Sequence, residues 1–449
     1  MWFDSVAQAT RVLLERGAVT ADQVRALSFS GQMMGAVRLD AAHQPVRPAM
    51  IWADHRSAEQ AQRLERSVGA QRAYELLGHR VHATYSVAKV MWVREHEPEN
   101  FARTRHVCLA KDFVVQQLTG NLVTDPSDAS STNAYDQRTG RWSDEVLEAA
   151  GIPAGTFPEI VPSTTVVGGI RPEAADPVGL AAGTPVVLGG GDGPLAATGS
   201  GVLSSMDGCY AYLGSSSWVS LAAGEPLHDP QRRSMTFDHV VPGQYVPTAT
   251  MQAGGASLEW AAEVLAPNAD ERFAQLLADT AEADTSGLYF LPHLLGERSP
   301  HWNTSARGGF LGLTRRHGRA HLAKAVLEGV AFNLAICLDA FRDAGRSVEQ
   351  VDAIGGGALS DVWLGIIADV WGCTVRRRSI VEEANSLGAA VTAAVGAELV
   401  DGFDIARDLS EVTAEFEPDP ARRAEYELRL DAFRDAYAAV EPWFERNHS

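Results

Sequence analysis

Hydrophobic and polar positions alternate along the first two hundred residues with two different periods, which predicts helices and strands in mixed order. Apolar residues three and four apart predict four helices, over 6–16, 58–65, 70–77 and 87–97. A strand is predicted over 24–30. The short apolar run 186–188, between a Gly-Thr-Pro turn and a glycine cluster, predicts a buried strand. The Pro- and Gly-rich stretch 149–183 is interpreted as an extended covering segment.

The pattern changes after residue 201. Two apolar runs, 209–213 and 218–222, flank the small residues 214–217 and predict a β-hairpin. Three long helices are then predicted, over 256–264, 320–341 and 362–371. Near the end, apolar residues recur at spacings of four and three and predict an amphipathic helix that must dock on another surface: Tyr426, Leu430, Phe433, Tyr437 and Val440. The chain is therefore an α/β protein with two predicted domains, 1–203 and 204–449.

Composition restricts the class of protein. Hydrophobic residues make up 45% of the 449 and charged residues 21%, which suits packed cores rather than disorder. Lys plus Arg is 38 and Asp plus Glu is 57, and the net charge of −19 disfavours nucleic-acid binding. The four cysteines are far apart and suit a reducing cytosol rather than a disulfide scaffold or a thiolate zinc site. Polar residues interrupt the most apolar long segment, 323–341, so a cytoplasmic protein without a membrane span is expected.

The strongest chemical signal is a glycine-rich turn that ends in one carboxylate. The predicted strand 186–188 runs into Gly189-Gly-Gly-Asp192, and a helix is predicted to begin there. Glycines allow a ligand to approach the backbone, and a helix N-terminus favours negative charge nearby. Asp192 could accept the proton of a substrate hydroxyl while that oxygen attacks phosphorus. The alternative, equally weighted on this run alone, is that Asp192 only caps the helix.

Two further glycine turns could contact a phosphate or a nucleotide. Gly214-Ser-Ser-Ser217 joins the predicted hairpin, and its N–H groups and hydroxyls could hold phosphate oxygens, although most such turns are only turns. Gly355-Gly-Gly-Ala-Leu-Ser360 follows an apolar strand and could lie against adenine. Neither turn is a dinucleotide fingerprint or a Gly-x-x-x-x-Gly-Lys phosphate loop. Together, the three turns predict loops that converge on a polyphosphate between two domains.

Other polar clusters carry weaker signals. Four histidines, at positions 293, 301, 317 and 321, lack the spacing of metal ligands and are interpreted as solvated or hydrogen-bonded. Met33 and Met34 suit core packing as well as a pocket. Trp52, Asp54 and Arg56 could bind a polyol, with the aromatic ring against C–H groups and the charges at hydroxyls. A surface ion pair beside a buried Trp is an equal alternative.

Together with the motifs above, the whole chain resembles the FGGY family of carbohydrate kinases from end to end. Within that family it most resembles the members that act on D-xylulose. The resemblance rests on Ser30-Gly-Gln-Met-Met-Gly35, Arg47 to Arg56, Ala110-Lys-Asp112 and Gly189 to Gly201. In the second half it rests on Leu213-Gly-Ser-Ser216, Leu291 to Thr314, His321 to Gly329, Gly355 to Ser360 and Ala384 to Ala390. The stretch from Leu291 to Gly329 is the most specific.

The resemblance implies two ribonuclease-H-like domains of the actin-like ATPase class that close over sugar and Mg-ATP. It implies that Asp192 is the catalytic base and that a sugar pocket contains Met33, Met34, Trp52 and Asp54. Gly214, Ser215 and Ser216 would bind the terminal phosphates. Gly312, Gly355, Gly356 and Ser360 would bind the rest of the nucleotide. The implied partners are a sugar, ATP and Mg²⁺, and a homodimer is compatible with the resemblance.

Three departures from the family pattern bear on these expectations. Met34 stands where these kinases typically have His, which removes a hydrogen bond from the sugar pocket, and Gly193 stands where Asn is usual. The family's opening strands and Asp-x-Gly-Thr turn would precede the first predicted helix, and this sequence has none of them. We therefore expect the first domain to lack strands at its start, either because the start codon is placed too late or because the product is an impaired fragment.

The main hypothesis from the sequence is ATP-dependent phosphorylation of D-xylulose at a hydroxyl, giving D-xylulose 5-phosphate. A different ketose or polyol is the first alternative. The second alternative is a kinase-shaped protein that binds sugar or nucleotide without transferring phosphate. A third, a chaperone-like or filament-forming ATPase of the same fold class, is disfavoured by the polyol-suited residues from Trp52 to Arg56.

Overall fold

A computed structural model describes the fold of residues 1–17, 19–266, 273, 276–277, 280 and 282–447. In the part before residue 204, helices dominate: α1 Trp2–Glu15, α2 Ala58–Val68, α3 Ala70–Leu77, α4 Ser86–His96, α5 Pro98–Arg103, α6 Ala110–Thr119, α7 Pro126–Ala129, α8 Asp144–Ala150, α9 Pro172–Val178 and α10 Asp192–Gly199. The strands there are short: β1 Ser30–Gly31, β2 Val37–Leu39, β3 His106–Cys108, β4 Val123–Thr124, β5 Tyr135–Asp136, β6 Arg141–Trp142, β7 Glu159–Ile160, β8 Val166–Gly169, β9 Pro185–Val187 and β10 Gly190–Gly191.

The second part is built on a larger sheet. The strands of this second part are β11 Cys209–Leu213, β12 Ser217–Leu221, β13 Met235–Asp238, β14 Tyr245–Met251, β15 Tyr289–Leu291, β16 Gly309–Leu311, β17 Gln350–Ile354, β18 Thr374–Arg378 and β19 Val412–Phe416. Its helices are α11 Gly255–Leu265, α12 Arg319–Asp343, α13 Asp361–Trp371, α14 Ala384–Gly396, α15 Ile405–Leu409 and α16 Pro420–Arg446. Seven strands pair in the order β13-β14-β12-β11-β17-β18-β19, and β11, β17 and β18 are parallel.

The predicted hairpin and long helices are present, with boundaries shifted by a few residues. β11 and β12 pair antiparallel around the turn 214–216, as predicted. The predicted strand over 24–30 does not form as a whole, because Leu27 makes only an isolated bridge to Val186 and Ser30 is the one residue of this range in β1, which pairs with β10. The stretch 149–183 is not uniformly extended, since Pro172 begins α9 and Gly179, in a left-handed conformation, ends it.

The amphipathic C-terminal helix α16 docks on the core of the second part, as its pattern predicted. Tyr426, Phe433 and Tyr437 are buried. Arg429 of α16 donates to both carboxylate oxygens of Glu328 on α12, and Tyr426 donates to one of them at 2.8 Å. The helix is therefore held by apolar packing and by a buried ion pair.

The long helix α12 forms the centre of the second core. Among the described residues it is the one helix long and apolar enough to cross a membrane by length and composition, and 83% of its most apolar window is buried inside the protein. Its burial against β14, β15, α11 and α13 accounts for the apolar composition.

The two parts of the chain meet through α10 and α14, which pack directly on each other. A Cβ atom on Gly199 would lie 1.8 Å from the Ala384 carbonyl oxygen, and one on Gly388 would lie 2.0 Å from the Leu195 carbonyl oxygen. Because the two glycines lack side chains, the helix backbones come into contact. Helix α10 begins at Asp192, so this contact supports the helix that carries the Asp192 turn.

Candidate active site

Asp192 is the first residue of α10, immediately after the glycines of β10. Strand β10 pairs in parallel with β1, so Gly190 and Gly191 lie beside Ser30 and Gly31. The Gly191 N–H donates to the Ser127 hydroxyl at 2.9 Å, and Asp192 Oδ1 accepts the Gly193 N–H at 2.9 Å. The sharp turn directs the carboxylate into a cleft rather than into solvent.

The cleft takes its walls from both parts of the chain and has a cavity volume of about 130 Å³. The lining residues are Met33, Met34, Trp52, Asp192, Gly193, Ser216, Trp218, Phe237, Thr248, Thr250 and Arg298. Among these lining residues Asp192 is the one carboxylate and Arg298 the one cation. The lining combines apolar and sulfur-containing side chains with hydroxyls and two charged groups, which suits a ligand with both C–H surface and hydroxyls.

Burial in the cleft raises the pKa of the Asp192 carboxyl from its ordinary value to about 6, and the Gly193 N–H and the Arg298 charge limit the rise. A carboxyl with this pKa is largely ionised at neutral pH and can accept a proton more readily than an ordinary aspartate. The structure thus gives Asp192 the position and the proton affinity of a general base. Its catalytic role stays a prediction.

The sugar-side residues predicted from the sequence come together, with one exception. Met33 and Met34 are buried. Met34 has a φ of 67°, and its N–H donates a hydrogen bond to the Ser131 hydroxyl at 3.1 Å that holds this conformation. The Trp52 ring lies 5.5 Å from the Arg298 guanidinium and lines the cleft. Asp54 is not among the lining residues and instead accepts from Arg56 Nε at 2.9 Å. The contacts of Asp54 are therefore those of the alternative interpretation, an ion pair at the surface.

Two predicted nucleotide turns are neighbours at one edge of the large sheet. β11 and β17 are parallel, so the turn 214–216 and the turn 355–360 begin at the same end of adjacent strands. A Cβ on Gly355, where φ is 85°, would lie 3.0 Å from the backbone of Leu213. Ser216 reaches the cleft, Gly214 and Ser215 complete its turn, and Gly356 begins a short 3₁₀ helix.

The remaining nucleotide residues also have local structural roles. Ser360 caps α13 by accepting the Trp363 N–H at 3.3 Å. Gly312 follows β16 with a φ of 80°, and a Cβ there would lie 1.8 Å from the Gly287 carbonyl oxygen. Glycine is needed at this close approach whether or not a nucleotide binds.

The histidines that the sequence did not assign to a metal have other contacts. His293 is buried and its Nδ1 lies 3.0 Å from Glu297 Oε2, while His301 stacks on Tyr437 with ring centroids 3.6 Å apart. No group of three or more His, Cys, Asp or Glu side chains in the described chain is arranged to hold a metal ion.

Sequence reasoning missed several residues of the cleft. Arg298 lies within the family-like stretch from Leu291 to Thr314, but nothing in the sequence places it near Asp192. Its loop is held by the buried Glu297 carboxylate, which accepts from the backbone N–H groups of Gln252 and Arg298 at 2.8 and 2.9 Å. Thr248 and Thr250 share one face of β14, as alternate residues of a strand must. The spacing of two between these threonines was the sequence signal that could have predicted their shared face.

Comparison with known proteins tests the resemblance directly. Residues 1–199 match the N-terminal domain of the FGGY family of carbohydrate kinases, and residues 209–397 match its C-terminal domain. The chain belongs to this family. It is 33% identical to the xylulose kinase of Bacillus subtilis over 439 residues, 97% of this chain and 87% of that protein.

Solved structures agree with this assignment. The ligand-bound xylulose kinase of Lactobacillus acidophilus superimposes with a TM-score of 0.92 at 25% identity and covers 99% of this chain and 89% of that one. The gluconate kinase of the same organism has a TM-score of 0.90, also at 25% identity and with the same coverage. The expected two-domain α/β fold of the actin-like ATPase class is confirmed, and the FGGY kinase is a sugar phosphotransferase.

Proposed function

We propose that this FGGY kinase transfers the terminal phosphoryl group of ATP to a hydroxyl of D-xylulose, giving D-xylulose 5-phosphate, with Asp192 as the base. The observation that carries the proposal is the single carboxylate in a cleft between the two parts of the chain, with its pKa raised to about 6. The xylulose kinases among the similar proteins support the choice of sugar. Another ketose or polyol remains the alternative.

In the proposed reaction, an Asp192 carboxylate oxygen accepts the proton of the sugar hydroxyl as that oxygen forms a bond to the terminal phosphorus of ATP. The bond between that phosphorus and the β–γ bridging oxygen breaks, and ADP leaves. Arg298, at the same cleft, would stabilise negative charge that develops near the transferred group. Closure of the two domains would exclude water and so limit ATP hydrolysis.

The sugar would contact both the apolar and the polar side chains of the cleft. Trp52, Met33 and Met34 present surface suited to the C–H face of the sugar, and Thr248 and Thr250 bring hydroxyls to the same cleft. Because Met34 cannot form the hydrogen bond that a histidine would, we expect fewer polar contacts at that end of the sugar. Asp54 would contact the sugar only if it gave up its ion pair with Arg56.

The nucleotide would extend from the cleft along the edge of the large sheet. Gly214, Ser215 and Ser216 would bind the terminal phosphates, and Gly355, Gly356 and Ser360 the nucleoside, with Gly312 nearby. Mg²⁺ would arrive with ATP, because a cleft with one carboxylate suits an ion bound mainly by phosphate oxygens and water. When bound, it would neutralise phosphate charge. The boundary at 203/204 and a homodimer also stay proposals.

A second candidate substrate is a sugar acid such as gluconate. Arg298 is buried, and its Nε has no hydrogen-bond partner among the described residues. A guanidinium in that state suits a carboxylate ligand. Similarity to the gluconate kinase of Lactobacillus acidophilus supports this candidate.

A substrate panel with ATP and Mg²⁺ tests both candidates. D-xylulose, D-ribulose, xylitol, glycerol and D-gluconate are each supplied, and ADP release and sugar phosphate are measured. We expect the highest kcat/KM with D-xylulose, and a preference for gluconate would favour the sugar acid. Asp192→Ala should abolish sugar-dependent ADP release while ATP still binds. Full turnover by that variant would exclude Asp192 as the base, and saturable binding without product would indicate a pure binding protein.

A further inference from the structure

The orientation of the Asp192 carboxylate depends on the backbone of its own turn. The carboxylate accepts a hydrogen bond from the adjacent Gly193 N–H. From the first part of the chain, the turn is held by Ser127, whose hydroxyl accepts the Gly191 N–H and donates to Asp125 at 2.5 Å. Asp125 is buried beside Lys111, with 3.2 Å between Oδ1 and Nζ. One side of the turn is therefore fixed to a buried charged network.

Two side chains from the second part of the chain hold the other side of the turn. Asn385 of α14 donates from Nδ2 to the Asp192 carbonyl oxygen at 2.9 Å. Tyr210 of β11 donates from its hydroxyl to the Gly193 carbonyl oxygen, also at 2.9 Å. These donors belong to different elements and reach consecutive carbonyls, so the second part restrains the two peptide groups that follow Asp192, between residues 192 and 193 and between residues 193 and 194.

Tyr210 also connects the turn to the cleft and to the predicted phosphate hairpin. It is fully buried, and its hydroxyl oxygen accepts Trp218 Nε1 at 2.9 Å. Trp218 lines the cleft, two residues after Ser216, and stacks on Tyr212 with ring centroids 4.1 Å apart. A continuous set of contacts thus runs from the hairpin that would hold phosphate to the Gly193 carbonyl, one residue after Asp192.

The reach of Asn385 depends on the close contact of α10 and α14. Gly199 and Gly388 leave no room for a Cβ between these helices. An amide side chain one residue into α14 can therefore touch the first carbonyl of α10, and a wider spacing of the helices would break the contact.

We propose that Asn385 and Tyr210 are positioning residues for phosphoryl transfer: from the second part of the chain they fix the turn that carries Asp192, so that the carboxylate is aligned only when the two parts are in register. The inference rests on the proposed role of Asp192 as the base. Neither residue needs to touch sugar or nucleotide, and each acts through the Asp192–Gly193 backbone.

The test compares Tyr210→Phe and Asn385→Ala with matched controls. Tyr245→Phe removes, from another strand of the same sheet, a hydroxyl that makes no hydrogen bond within the described residues. Asn121→Ala removes an amide-to-carbonyl bond of 2.8 Å at a residue that does not line the cleft. With ATP and D-xylulose, each test variant should lose about 10- to 100-fold in kcat with KM for both substrates nearly unchanged, because misplacement of the base affects the transition state. The controls should keep the wild-type kcat.

Two further readouts separate positioning from general damage. The acid limb of the kcat profile should stay at the wild-type pH while the plateau falls, whereas a cleft opened to water would move the limb to lower pH. Backbone amides of residues 190–199 should exchange hydrogen about five-fold faster in each test variant and not elsewhere, the factor expected for one lost hydrogen bond. The exchange measurement does not require activity, so it tests the contacts even if the proposed sugar or base is wrong.

Several results would overturn the inference. They are an unchanged kcat in both variants, a rise in KM that accounts for the whole loss, a shift of the acid limb to lower pH, or faster exchange throughout the chain. The two variants remove bonds from different elements, so a failure of one to fold leaves the other as a full test.

Discussion

The acid limb of the pH–rate profile gives the most direct test of the Asp192 assignment. Burial in the cleft raises the pKa of its carboxyl from 3.8 to about 6, against the opposing influence of the Gly193 N–H and Arg298. A base must be ionised to accept a proton, so activity rises with pH through this pKa and is lost as the pH falls below it.

The magnitude follows from the titration. With a pKa of about 6, roughly 90% of the carboxyl is ionised at pH 7 and roughly 10% at pH 5, so kcat/KM should fall about ten-fold between these values. A carboxyl with its ordinary pKa would lose only about 6% of its ionised form over the same interval. The two cases therefore differ by nearly an order of magnitude in rate.

The assay is coupled ADP release at subsaturating sugar, in buffers of constant ionic strength, because kcat/KM reports the free enzyme whose pKa the structure describes. Asp192→Asn keeps the side-chain shape without a basic oxygen and should have a rate too low to show this limb. A wild-type profile that is flat from pH 5 to pH 8 would refute the reasoning. So would a limb of full amplitude that persists in Asp192→Asn.

Three other outcomes follow from the structure. Arg298→Met removes the cation that lowers the pKa of Asp192, so the acid limb should move to higher pH, and a limb at the same or lower pH would contradict the electrostatic argument. Arg429→Met leaves the buried Glu328 carboxylate without its counter-charge and should lower the free energy of unfolding in urea by about 3–5 kcal/mol. Arg434→Met, at a more exposed pair, should cost less than about 1 kcal/mol, and equal losses in the two variants would count against a buried ion pair. Gly388→Ala places a Cβ 2.0 Å from a backbone oxygen of the facing helix. We expect the free energy of unfolding in urea to fall by about 1–3 kcal/mol and kcat to fall with it. A variant with wild-type stability would show that the helices can separate without cost.

The sequence by itself determined the elements and much of the chemistry. Apolar periodicity located the hairpin, the long helices and the amphipathic α16, because these features depend on residues close in the chain. The glycines before Asp192 and after Leu213 marked two turns at strand ends, because close backbone approach needs residues without side chains. The family motifs then indicated a sugar kinase, and the comparisons confirmed it.

Only the tertiary structure decided which side chains share the cleft. Arg298 lines the same cleft as Asp192 because its loop is held by the buried Glu297. Asn385 contacts the Asp192 backbone because two glycines bring distant helices together. The carboxyl's pKa depends on this enclosure, since water exclusion and a neighbouring guanidinium arise from packing between residues far apart in sequence. The local pattern of residues in the sequence does not specify distances between residues that are far apart in the chain. For the same reason the sequence named Asp54 as a sugar ligand, while the fold pairs it with Arg56.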